Sequence, residues 1–405
     1  MRPRSLPGLL VLLALTAAPA ASAQAPTPTG GQPLTLEEYQ ARQQAVPGEN
    51  DDTEDKKKAL KLKARLFVLG ELSRHNVLEV SPVGVPENNP TTDLDVMLQS
   101  ARVGFEYRAP LKWLSLEVQA ELSGKPQLKD AVAQAKQDHW EVRVGQFKMP
   151  IGAFEMESPW DLPIVRRGFV NTLLVDRLDV AGRRPGLTAG VRAGGPVKPS
   201  LTLGVFQGSA LTAQTADDRE VDLITEQGTD SQTEIARAQI KVEELKVGLV
   251  YQHRLGAPAL GKTKHYWTAG VDAYWEWAHA AGGLRLWADA MAGESWYEHV
   301  SKAVDNKGAT FSAVRALVAY RFGGVDKGDP YVEPFLFGAA HDPDADVVAD
   351  QAVEAMLGLA AGYWDRARLS LQGEIVRTRR NFPDSYAVSS DPDRLALLLQ
   401  AGVSF

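Results

Sequence analysis

From residue 60 onward the chain runs in segments of about ten residues in which apolar and polar side chains alternate, separated by turns and polar loops. In residues 113–122, Leu114, Leu116, Val118, Ala120 and Leu122 share one side of an extended strand, while Ser115, Glu117, Gln119 and Glu121 share the other. Residues 368–378 repeat the split, with Leu369, Leu371, Gly373 and Ile375 opposite Arg368, Ser370, Gln372, Glu374 and Val376. Residues 394–405 repeat it again, with Leu395, Leu397, Leu399, Ala401, Val403 and Phe405 on the apolar side. One face meets hydrocarbon and the other meets water, which predicts an all-β fold, a transmembrane antiparallel barrel.

About sixteen such segments are countable, near Lys61, Asp95, Trp113, Leu128, Trp140, Gly186, Leu201, Thr233, Leu245, Tyr266, Leu284, Thr310, Tyr331, Val353, Arg368 and Arg394. An even number closes a bacterial barrel with both chain ends on one side. Short turns follow even-numbered strands (109–111, 137–139, 243–244 and 365–367), and long loops are expected after odd ones, outside the cell. Aromatic groups at Trp267, Tyr274, Trp275 and Trp277, at Trp296 and Tyr297, and at Tyr363 and Trp364 are expected at the membrane interfaces. A soluble sandwich would leave a polar face and open edges along the whole series, whereas a closed barrel has no edges.

Ahead of this texture, Arg2 and Arg4, the apolar run to Ala20, and Ala21-Ser22-Ala23 form an export signal over 1–23, with the mature chain expected from Gln24. Residues 24–59, with a short helical stretch at 34–45 and an acidic-basic run from Glu49 to Lys58, read as a periplasmic leader, and 60–405 as the barrel. Without the signal, 42 Lys and Arg face 51 Asp and Glu, a formal charge of -9 that argues against nucleic acid as a partner. The absence of cysteine removes thiolate chemistry and Cys-held metal.

Residues 128–132 (Leu-Lys-Asp-Ala-Val), the run 142–152 from Val142 through Gly145-Gln146-Phe147-Lys148-Met149-Pro150 to Gly152, Asp176-Arg177 with 182–187, and the terminal Phe405 together resemble the phosphate-selective porin O and P family over residues 60–405. The resemblance implies a sixteen-stranded outer-membrane porin, commonly a homotrimer, with its third outer loop folded inward to narrow the lumen. The matching loop is 149–184. It implies Lys148, Arg166, Arg167, Arg177, Arg183 and Arg184 as the constriction and anion path, and Phe405 as the signal for the barrel-assembly machinery. The family relies on loop lysines where this loop offers arginines.

Strand parity adds Arg65, Arg102, Arg143, Arg192, Arg237, Arg285, Arg315 and Arg368 as lumen-wall residues. Two readings stay open: an arginine ladder for small anions, or a wall network in which these arginines pair with lumen acids such as Glu106, Glu117, Glu121, Glu141, Asp289 and Glu374. Residues 256–263 match the phosphate-loop pattern G-x-x-x-x-G-K-[ST], but strand texture follows where a helix is required, so an external loop is expected. Asp342, Asp344, Asp346 and Asp350 have the spacing of a calcium loop, yet Val347 stands where glycine is needed and Glu354 comes one residue late. No H-E-x-x-H or G-x-S-x-G is present, and neither a metal nor a cofactor is expected. The function expected is passive diffusion of small solutes with a preference for anions such as phosphate. A general-diffusion or carboxylate porin, and a structural or adhesion barrel, are the alternatives.

Overall fold

The computed structural model describes residues 60–80, 86–111, 113–178, 180–208, 232–256, 264–279, 282–295, 309–324, 328–379, 382 and 393–405. Among these residues sixteen strands form a closed antiparallel barrel in which each strand pairs with its chain neighbours and the first pairs with the last. They are β1 (Leu60–Val80), β2 (Pro86–Arg108), β3 (Leu114–Glu121), β4 (Gln127–Lys136), β5 (Trp140–Lys148), β6 (Arg183–Arg192), β7 (Val197–Gln207) and β8 (Gln232–Val242). The second half comprises β9 (Leu245–Gly256), β10 (Lys264–His279), β11 (Gly282–Ser295), β12 (Ala309–Gly323), β13 (Pro330–Asp342), β14 (Ala352–Tyr363), β15 (Ala367–Thr378) and β16 (Arg394–Ser404).

All sixteen alternating segments are strands, and the period of two sorts their side chains as expected. On β15, Leu369 and Leu371 face out while Ser370, Gln372 and Glu374 are buried inside. On β16, Leu395, Leu397 and Leu399 face out around buried Ala396, Leu398 and Gln400. Closure leaves no free edge: the backbone N–H of Phe405 donates to Ala64 at 2.9 Å, and the N–H of Ala64 donates back to Phe405 at 3.3 Å. The Phe405 side chain lies outside, 80% exposed on the lipid-facing surface.

Three details differ from the sequence expectation. The outer connections 81–85 and 122–126 are short, because β1 and β2 extend as a long hairpin and β3 and β4 end early. Tyr274 has the inward parity of buried Asp272 and hydrogen-bonds Glu276, so it belongs to the lumen and not to a girdle. The Trp364 ring centre lies 3.6 Å from the Arg321 guanidinium and packs against Tyr331, both inward-facing, so it belongs to the inner side of the periplasmic end and not to a girdle. Trp296 and Tyr297 lie outside the described residues, as do 257–263 of the phosphate-loop-like motif. The residues that follow the motif, from Lys264 on, form strand β10, where a phosphate loop would need the start of a helix.

Candidate functional site

The connection between β5 and β6, residues 149–182, is entered through a close contact between strands. Gly145 has φ +125, and a Cβ there would stand 2.0 Å from the Ala131 carbonyl oxygen, so only glycine fits at the head of the Gly145-Gln146-Phe147 stretch. Beyond it the chain forms two one-turn helices, Ala153–Met156 and Phe169–Thr172, and a wider turn, Leu173–Arg177. Met149, Ile151, Phe154, Leu162, Ile164, Val170, Leu173 and Leu178 are almost wholly buried, in one apolar cluster with inward-facing Trp287, Phe311, Leu317, Phe335, Phe337 and Met356. The connection thus lies within the lumen, packed on the wall that runs from β10 to β14.

Polar wall residues fasten its backbone. Arg368 donates to the carbonyls of Trp160 at 3.0 Å and Leu162 at 2.6 Å. Arg254 donates to Leu178 at 2.6 Å, Gln252 to Val180 at 3.1 Å, and Arg285 to Asp161 at 3.0 Å. Glu354 accepts the N–H groups of Phe169 at 2.8 Å and Val170 at 3.2 Å. Gly168 permits that approach, since a Cβ there would lie 2.4 Å from the Glu354 carboxylate.

Several charges on this side meet in buried ion pairs. Arg237 forks onto Asp272 at 2.6 and 2.7 Å. Arg315 forks onto Asp289 at 2.9 and 2.8 Å and reaches Asn171 at 2.5 Å. Glu333 takes Arg285 at 2.9 Å and Arg321 at 3.2 Å. Buried, bidentate pairs of this kind fix geometry. Arg237, Arg285 and Arg315 thus pair with lumen acids as in the wall-network reading, while Arg368 is taken up by loop carbonyls and Gln400.

Two constriction candidates are likewise engaged by partners in the loop and the wall. Arg166 forks onto Glu374 at 2.8 and 2.6 Å and reaches Glu71 at 3.3 Å, which also binds Arg394. Arg167 donates to the carbonyls of Phe154 at 2.9 Å and Glu157 at 2.6 Å inside its own loop. Arg184 is buried and donates to the Gln207 carbonyl, and Arg192 clamps the 137–139 turn through the carbonyls of Gln137 and Asp138. The Arg177 side chain lies outside the described residues.

The opposite wall is different. A cavity of about 300 Å³ lies between the loop and the wall from β1 to β6, lined by six cations, Lys63, Arg65, Arg102, Arg143, Lys148 and Arg183, against two acids, Glu117 and Asp130. Lys63 is held by Glu106 at 2.9 Å and Glu117 at 3.4 Å, Arg102 by Glu121 at 2.9 Å, and Arg183 by Asp130 at 3.0 Å. The other three have no acid within ion-pair distance among the described residues. Arg65 donates to Ser158 Oγ at 2.9 Å, Lys148 to the Glu157 carbonyl at 2.7 Å, and Arg143 stacks 4.4 Å from the Phe147 ring centre. Burial, and then the nearby Asp161, push the Glu157 carboxyl above the usual range; burial does the same for Asp161. Both changes weaken negative charge on the loop side of the cavity.

Lys63 was missed in the sequence, although the parity that selects Arg65 selects it too. Asp272, Glu333 and Arg321 follow from strand parity in the same way. Glu155, 3.7 Å from Arg315, lies in the loop, where no period points to it. Among the described residues no three side chains are grouped to hold a metal, the acidic loop from Asp342 to Asp350 included.

Residues 101–237, which run from the end of β2 into β8 and include the loop, match the family model described as phosphate-selective porin O and P. No curated protein matches the chain by sequence. Among solved structures, an anion-selective porin from Comamonas acidovorans aligns over 85% of this chain and 99% of its own at 10% identity and a TM-score of 0.51. The outer membrane channel DcaP of Acinetobacter baumannii aligns over 86% and 98% at 13% identity and 0.53. OprB of Pseudomonas putida aligns over 87% and 96% at 12% identity and 0.52. At these identities the structures share the sixteen-stranded porin fold with this chain, and its residues 101–237 resemble the phosphate-selective porin O and P family.

Proposed function

We propose that the protein passes small anions, phosphate among them, along the lumen wall formed by β1 to β6. The observation that carries this reading is the charge of the cavity lining, six cations against two acids, in a barrel whose opposite wall holds Arg237, Arg285 and Arg315 in buried ion pairs. In a narrow space, with the apolar side of the loop opposite, a guanidinium or ammonium group replaces part of an anion's hydration without holding it tightly. The anion selectivity named for the Comamonas porin agrees with this reading. We further propose export with cleavage ahead of Gln24, a periplasmic leader over 24–59, a homotrimer in the outer membrane, and Phe405 as the assembly signal.

The test is reversal potential in planar bilayers under asymmetric KCl and potassium phosphate. Replacing Arg65, Arg102 and Arg143 together by Gln is expected to bring the anion-to-cation permeability ratio down several-fold, towards unity. A ratio unchanged by the triple substitution would reject the β1 to β6 path, and a wild type without anion preference would leave a general-diffusion porin.

A further inference from the structure

Two histidines meet on the outer surface of the barrel, away from the lumen. On β9 the buried Gln252 and Arg254 point inward, so His253 between them faces out; on β10 buried Thr268 sets the inward parity, and His265 and Trp267 face out. His253 stands in register with Glu234 of β8 and with Trp267 of β10. Its Nε2 lies 3.0 Å from Nδ1 of His265, with the two rings stacked at an interplanar angle of 19°. Its Nδ1 lies 3.3 Å from a carboxylate oxygen of Glu234, whose other oxygen accepts Gln232 Nε2 at 3.1 Å.

The depth of this row follows from the tryptophans. Trp267 and Trp277, both outward on β10, are ten residues apart. At about 3.4 Å per residue and a strand tilt of about 40°, that separates them by roughly 26 Å along the membrane normal, close to the apolar band of about 25 Å. Trp277 stands near the periplasmic turn, so Trp267 marks the outer rim. The histidines are at or beyond it, at headgroup depth, within reach of water.

We propose that His253 and His265 bind a late first-row divalent transition metal ion, such as zinc or copper, between Nε2 of the one and Nδ1 of the other, with Glu234 orienting His253. Two imidazole nitrogens bound to one ion, each at about 2.0–2.1 Å, stand about 3.4 Å apart in a tetrahedral site, so the pair opens by about 0.4 Å and the rings turn until both lone pairs meet the ion. The carboxylate on the far nitrogen of His253 is the arrangement that fixes the tautomer and ring plane of metal-bound histidine. Imidazole donors favour zinc, nickel and copper over calcium or magnesium. No third protein ligand converges among the described residues, and 257–263, which join the two strands, contain no His, Cys, Asp or Glu. Water completes the shell, and the affinity is correspondingly modest.

The experiment titrates the detergent-folded porin with Zn²⁺ by calorimetry and with Cu²⁺ by electron paramagnetic resonance. The wild type is expected to take up an ion whose copper spectrum shows two equatorial nitrogens. His253→Ala and His265→Ala should each weaken binding at least tenfold, and Glu234→Gln by about tenfold. All three are expected to keep wild-type conductance and heat-shifted electrophoretic mobility, since the row lies outside the pore. Absence of uptake by the wild type, or unaltered titrations for both histidine variants, overturns the site. A Glu234→Gln variant that binds as the wild type does overturns the orienting role of the carboxylate.

Discussion

Asp350 lies in the outer connection between β13 and β14, fully buried, with its Oδ2 lacking a hydrogen-bond partner. Burial first, and then the neighbouring Asp342, push its carboxyl up to about 6. A carboxyl whose value is raised on folding favours its neutral form, so the folded state loses stability as pH rises from about 4 to about 6 and stays at the lower level above that. Asp350→Asn is therefore expected to raise the thermal midpoint of unfolding at pH 7.5, with no difference from the wild type at pH 3.5. The same gain at both pH values would mean that packing, and not charge, sets the effect. At this scale the sequence was legible wherever parity applied. Arg65, Arg102 and Arg143 face inward as their positions require, whereas a residue's partner was not legible: Arg315 reads like Arg143 along its strand, yet one forks onto Asp289 and the other, among the described residues, stacks on the Phe147 ring.

Strands and the loop between β5 and β6 were legible to different degrees for a physical reason. A strand crossing a bilayer has a period of two imposed by lipid on one side and water on the other, and that period can be read without knowing the neighbours. The loop has no such external field. Its path is decided by partners far along the chain, such as Glu354 on β14 accepting the N–H groups of Phe169 and Val170. What the sequence did mark is the approach to the loop, through glycine. Because Gly145 combines φ +125 with a position where a Cβ would stand 2.0 Å from the Ala131 carbonyl oxygen, Gly145→Ala must shift β4 against β5. The strained backbone alone costs about 1–3 kcal/mol. The fraction of refolded protein with heat-modifiable mobility is expected to fall well below that of a control such as Gly124→Ala, where a Cβ meets no neighbouring atom but φ is also positive. Equal yields would show that this strand contact tolerates a side chain.

Across the whole molecule the lumen is divided. One wall, from β8 to β16 together with Glu71 of β1, is held to the loop by buried ion pairs and an apolar cluster; the rest of the wall from β1 to β6 keeps cations towards open space. Arg166 sits on the matched side, and its role separates this division from a simple constriction. Its guanidinium holds Glu374, itself 3% exposed, at 2.8 and 2.6 Å, and reaches Glu71 at 3.3 Å. Removing one member of a buried charge pair costs about 3–5 kcal/mol, because the carboxylate left behind is neither solvated nor paired. In Arg166→Gln that cost falls on the contact between loop and wall and not on the sixteen-strand barrel, whose ladder is unaffected. The loop should then leave the wall part of the time. Single-channel recordings are expected to show larger and noisier conductance, with the sign of the reversal potential retained, since Arg65, Arg102, Arg143 and Lys148 still line the path. A reversal potential that changes sign at unchanged conductance would make Arg166 a charge that ions meet directly, and the division of the lumen would be wrong.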